Sequence, residues 1–319
     1  MRRNKGVDWR PLVILGAPRS GTNMLRDLLV THSDAATWPC DEINFIWRHY
    51  NVRHPSDEFS GGLATPRVRA YVRRAFAKLA RQAGRPIVVE KTCANCLRVD
   101  FVRKILPEAR FVVLLRDGRD AAASAAQRWQ ARFEPRYVMK KARYVPWSDL
   151  AYQAARYCGR RLHRRFSGTQ RVSAWGPVFS GMVERLASDS LAEVCAWQWR
   201  RCVEQTEIGL AGASPETVFH LSYEDFVARP AEKLAQVLQF GGMATRERDV
   251  VSRVAAVSSR SVGKWRADLD SDDAERVEAI VADCKAAGRI AQRVVEQERL
   301  ARNLAQPAQE PSQKNRYAA

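Results

Sequence analysis

Short, wholly apolar runs alternate along the chain with longer stretches in which apolar residues recur every three or four positions. Residues 11–16 (PLVILG) form the first run, the pattern of a strand covered on both faces. Residues 86–90 (PIVVE), 110–115 (RFVVLL) and 217–221 (TVFHL) repeat it. The last three stop at polar residues: Lys91 and Thr92, Arg116 and Asp117, Ser222 and Tyr223. After the first run, Met24, Leu25, Leu28 and Leu29 follow helical spacing. Residues 66–85 read as a helix with Val68, Val72, Phe76 and Leu79 on one side and arginines on a solvated other side. Ser271, followed by Asp272 and Asp273, reads as the head of an amphipathic helix that turns Val277, Ile280, Val281 and Cys284 inward. Strands separated by helices predict an α/β fold: a three-layer sandwich with a central parallel sheet, its site at the C-terminal strand ends.

Residues 129–191 break this rhythm, with weak periodicity, scattered aromatics and basic clusters such as Arg160, Arg161, Arg164 and Arg165. They read as a helical or irregular insertion of the kind that forms lids. Residues 1–305 are then one domain and 306–319 a disordered tail. No apolar run approaches the ~18–20 residues of a membrane span, and 11–16 is too short for the core of a signal peptide. Seven cysteines, an odd number, fit reduced thiols in a cytoplasm. Cys93 and Cys96 lack the second pair that a structural zinc site requires, so no metal is expected.

Charge changes the picture most. Against 35 Asp+Glu stand 53 Lys+Arg, a net +18, and such a surface attracts anions. A nucleic-acid-binding protein is one reading, but the basic residues spread over several helices instead of forming one stripe interleaved with aromatics. A nucleotide, an acidic glycan or a membrane surface would use the same charge.

Residues 16–23 (GAPRSGTN) place Gly16 and Gly21 at the spacing of the ATPase phosphate loop. Thr22 stands where that loop has its lysine and Asn23 where it has the metal-binding hydroxyl. A P-loop kinase is therefore the lesser alternative, since metal-dependent phosphoryl transfer loses its two main charge stabilisers. What survives is a nest of backbone N–H groups at a helix N-terminus, with Arg19, Ser20 and Thr22 added. That is an anion site without a metal.

These residues resemble the sulfotransferase family. Residues 17–22 (APRSGT) are similar to the family's loop for the 5′ end of 3′-phosphoadenosine 5′-phosphosulfate. Arg116, with Ser124 eight residues later, resembles its 3′-phosphate motif, and residues 222–226 (SYEDF) its Tyr-Glu-Asp segment. Gly263, Lys264 and Trp265 before a last helix look like its ending, so the likeness runs from 11 to about 290. It implies a phosphosulfate donor held by Arg19, Ser20, Gly21, Thr22, Asn23, Arg116 and Ser124, with Tyr223 against the adenine. Arg260 falls near the family's further 3′-phosphate contact, although the usual Arg-Lys-Gly is absent.

Sulfonate transfer is an in-line displacement that needs a cation at the bridging oxygen and a base for the acceptor. Lys91 and Arg19 are the natural cations. Where small-molecule sulfotransferases carry a catalytic histidine two residues after that lysine, this chain has Cys93, a poor substitute. Residues 38–47 (WPCDEINFIW) resemble the Glu-x-x-Phe-Phe segment of glycosaminoglycan sulfotransferases, and Glu90-Lys91-Thr92 matches their Glu-Lys-Thr. The resemblance makes Glu42 the general base, with Asp41 as the backup, Phe45 and Trp47 desolvating it, and a carbohydrate hydroxyl on a glycan or glycolipid as acceptor.

Overall fold

A computed structural model describes residues 8–130, 146–149, 175–244 and 246–305. Five parallel strands form one sheet in the order β2-β3-β1-β4-β5: β1 (Arg10–Leu15), β2 (Ala35–Ala36), β3 (Ile87–Lys91), β4 (Arg110–Leu115) and β5 (Val218–Ser222). The four apolar runs are four of these strands. The two-residue edge strand β2 carries too little pattern to be read from sequence.

Strand alternation sends side chains to two separate cores. Val13, Leu15, Val88, Phe111 and Val113 face the layer of helices Pro66–Ala83, Val99–Ile105, Gly118–Gln130 and Leu191–Leu210. Leu12, Ile14, Val89, Val112 and Leu114 face helices Thr22–Leu29, Tyr223–Ala228 and Pro230–Phe240. The sheet is therefore the middle of three layers. Successive strands run from β1 toward β2 and β3 on one side and toward β4 and β5 on the other, which opens a crevice above β1. Register sets Lys91 of β3 beside Ile14 of β1 and Val113 of β4 beside Leu15, so both neighbouring strands end next to the glycine loop.

Local signals account for several helix ends. Thr65 accepts from the Val68 N–H, Pro66 opens the helix, and Gly84 closes it at φ 65°. Ser190 and Glu193 form a reciprocal capping box on Leu191–Leu210. Helix Ser271–Ala282 buries Val277 and Ile280 and half-buries Val281, and Cys284 is buried just past its end; its cap is Asp270, which accepts from the Asp273 N–H, and Ser271 is already inside the first turn. Of the supposed insertion, Trp129 ends a regular helix, and Met182–Ser188 is helical. Residues 131–145 and 150–174, and the supposed tail at 306–319, lie outside the described residues. Helix Lys285–Ala305, which the sequence reading did not single out, packs across β5, where the Gln297 amide accepts from the His220 N–H and donates to the His220 carbonyl.

Candidate active site

The loop between β1 and the first helix is tightly closed. Arg19 (φ 68°) and Gly21 (φ 86°) are both left-handed, which turns successive N–H groups into a concave nest at the N-terminus of Thr22–Leu29. A Cβ on Gly16 would sit 2.6 Å from the Thr22 methyl and 2.9 Å from the Leu114 carbonyl; one on Gly21 would sit 2.5 Å from the Tyr223 ring. Gly21→Ala combines a left-handed backbone with that clash. Chemical denaturation is expected to show a loss of about 2–5 kcal/mol.

Arg116 leaves the end of β4 and braces this loop from behind. Its Nη1 donates to the Arg19 carbonyl at 2.7 Å, its Nη2 to the Ser261 carbonyl, and its carbonyl accepts from Trp199. Its guanidinium lies 4.6 Å over the Tyr223 ring, and the Tyr223 hydroxyl meets Ser261 at 2.6 Å. Asp120, the nearest acid at 3.9 Å, is occupied by the N–H groups of Gly263 and Trp265. Asp117 instead pairs with Arg119. Arg19 donates from Nε to the Ser124 hydroxyl at 3.0 Å, joining the two phosphate motifs directly. Although Arg19 keeps an exposed edge, desolvation of its guanidinium and then repulsion from Arg128 and Arg116 lower its pKa. Two buried polar atoms of this cradle, Ser20 Oγ and Arg116 Nε, have no hydrogen-bond partner. An unpaired buried donor is costly, so both fit an anionic ligand in the loop.

The end of β3 supplies the second half. Lys91 is buried, and its Nζ donates to Glu42 Oε1 at 3.0 Å and to Asp41 Oδ1 at 3.5 Å. Burial would lower the Lys91 pKa, but the Glu42 and Asp41 carboxylates raise it, and the ammonium stays charged. Glu42 Oε1 also accepts from the Cys93 N–H at 3.2 Å, while Asp41 is further held by Arg26. Burial pushes the Cys93 thiol well above its usual range, so it holds its proton; its sulfur lies 3.8 Å from the Thr22 hydroxyl and ties β3 to the loop. Trp47 is fully buried and donates to Glu90, which also accepts from Asn95 and which burial pushes up. Trp47 thus anchors the segment from below.

Arg19, Ser20, Gly21, Thr22, Arg116, Ser124 and Tyr223 form one contiguous set, and Lys91 and Glu42 join it through Cys93 and Thr22. Asn23 is exposed on the first helical turn, and Arg260 is exposed with no side-chain hydrogen bond or ion pair among the described residues. Its neighbour Ser261 makes the contact to Arg116 and Tyr223. Ser261 and Trp199 carry no local motif and were not singled out from sequence. No group of three or more metal-ligating side chains occurs among the described residues.

A nest with unpaired buried polar atoms at the switch point of a parallel sheet, beside a buried lysine paired with a half-buried glutamate, has the geometry to bind an anion. A family model described as the sulfotransferase family matches residues 11–174, just over half of the chain, and the chain belongs to that family. It is similar to nodulation protein NoeE of Sinorhizobium fredii, with 29% identity over 145 residues covering 41% of this chain and 35% of that protein. The chain thus spans about a third of the length of this curated relative. Among solved structures, sulfotransferase STF9 from Mycobacterium avium aligns at 15% identity and TM-score 0.48, covering 85% of this chain and 76% of that one. Mouse sulfotransferase SULT7A1 complexed with PAP aligns at 10% and 0.42, covering 89% and 88%.

Proposed function

We propose that the protein transfers a sulfonate from 3′-phosphoadenosine 5′-phosphosulfate to a hydroxyl of a carbohydrate or glycoconjugate. The observation that carries this reading is the meeting of three parts in one crevice: the nest, the Arg116–Arg19–Ser124 brace and the Lys91–Glu42 pair. Ser20, Thr22 and the loop N–H groups would hold the 5′ end, and Arg116 and Ser124 the 3′-phosphate. The bound donor supplies an activated sulfonate on a phosphate leaving group. Glu42 takes the proton of the acceptor hydroxyl, and Lys91 and Arg19 neutralise charge gathering on the bridging oxygen as its bond to sulfur breaks.

The pairing of base and cation has a consequence for timing. While Lys91 holds Glu42, the carboxylate is a weakened base. A negative charge in the loop competes for the same ammonium, so donor binding frees Glu42 to accept a proton. The carbohydrate acceptor rests on Glu42 and Glu90-Lys91-Thr92 in their family pattern. An odd number of cysteines fits reduced thiols, and we place the protein in a cytoplasm on that ground.

The test is calorimetric titration with 3′-phosphoadenosine 5′-phosphate in EDTA, with ADP as control. Micromolar, metal-independent binding that requires the 3′-phosphate is expected. Equal binding of ADP would sink the phosphosulfate donor and return the loop to nucleotide-kinase chemistry.

A further inference from the structure

Helix Pro66–Ala83 holds five arginines and one lysine and no acidic residue. Its apolar side is fully used: Val68, Val72, Phe76 and Ala80 are buried, and Phe76 packs against Trp9, Trp38 and Trp47. At 100° per residue, Arg67, Arg74, Lys78 and Arg81 fall within a sector of roughly 60° opposite that side, along about 21 Å of helix. All four are exposed. Arg73, outside this sector, is neutralised by Glu108. Arg74, Lys78 and Arg81 have no ion pair or hydrogen bond among the described residues.

We propose that this face docks the protein on an anionic lipid surface. A row of exposed cations on the outer face of a helix meets a plane along its whole length; a single polyanionic chain would be gripped better in a groove. At the Lys91 end of the row, Arg67 stacks 4.1 Å over Tyr50, which is 41% exposed and held at φ 68°. A tyrosine presented beside basic side chains suits the headgroup level of a bilayer. Because the apolar face is spent in the core and no described helix is long and apolar enough to cross a membrane, the contact is electrostatic and peripheral. The inference stands apart from the identity of the sulfated hydroxyl.

Sedimentation of the full-length protein with vesicles tests it, using phosphatidylcholine alone and phosphatidylcholine with about one third phosphatidylserine. Binding to the anionic vesicles only is expected, and roughly 0.5 M salt should abolish it, because the screening length then falls well below its ~10 Å at 0.1 M. The triple variant R74Q/K78Q/R81Q should bind on the order of a hundredfold more weakly, at about fivefold per charge. Glutamine keeps helix propensity, and unchanged calorimetric binding of 3′-phosphoadenosine 5′-phosphate certifies the fold independently of the vesicle result. R246Q/R248Q/R299Q removes the same charge from exposed positions elsewhere and should bind like the wild type. Equal weakening of both triples would overturn the proposal in favour of diffuse net charge. Absent or salt-insensitive vesicle binding would overturn it too, and retention on dextran sulfate beads without vesicle binding would do so in favour of a soluble polyanion.

Discussion

Glu42→Gln is expected to lower kcat by about 10²- to 10⁴-fold while leaving the affinity for 3′-phosphoadenosine 5′-phosphate within a few fold. Glutamine preserves shape and can still accept from the Lys91 ammonium and the Cys93 N–H, which meet at Oε1 in the structure. What it removes is the capacity to take a proton. Asp41→Asn is the control: Asp41 is shared between Arg26 and the more distant arm of Lys91, so this change should cost less than about tenfold, well below the usual share of a general base. Single-turnover kinetics with preloaded donor separate the two. A large loss in Asp41→Asn with a small one in Glu42→Gln would move the base to Asp41, and loss of nucleotide binding in Glu42→Gln would make the residue structural.

Arg116→Ala should weaken binding of the product nucleotide by a hundredfold or more. Charge-assisted hydrogen bonds are worth about 1.5–3 kcal/mol each, and the two that Arg116 makes to the Arg19 and Ser261 carbonyls also set the shape of the loop. Arg116→Lys keeps the charge but loses the fork, so it should recover only part of the affinity. The comparison nucleotide is informative: ADP binding should change far less if Arg116 faces the 3′-phosphate. Equal loss for both nucleotides would mean that Arg116 acts through the loop alone.

The sheet was legible because its strands are buried on both faces, which leaves continuous apolar runs such as 11–16 and 110–115. Strand β2 was not, because two alanines carry no periodicity. At the site, spacing exposed the residues that share a local motif: Arg19, Ser20 and Gly21, or Arg116 and Ser124. Spacing could not show that Arg19 and Ser124 touch across 105 positions, nor that Ser261 closes the pocket behind Arg116 and Tyr223. Nor could it show that the Tyr223 ring packs against Gly21 and Arg116, where it shapes the loop. Trp47 was expected to desolvate Glu42, yet its indole is drawn inward by the buried Glu90. That difference comes from a tertiary partner that no window of sequence contains.

The amide of Gln297 on the backbone of His220 says something about the order in which the chain can finish folding. Strand β5 is the last in the sheet, and its outer rim would otherwise offer free N–H and C=O groups to any passing strand. The side chain that occupies one such pair arrives 77 residues later. On the ribosome, four of the five strands and the whole phosphate loop are made while that rim is still unwritten, and β5 itself emerges before its cover. The C-terminal helix is thus a seal as well as a packing element: until it is synthesised, the β5 edge can be extended by a neighbour, and afterwards the His220 pair is taken.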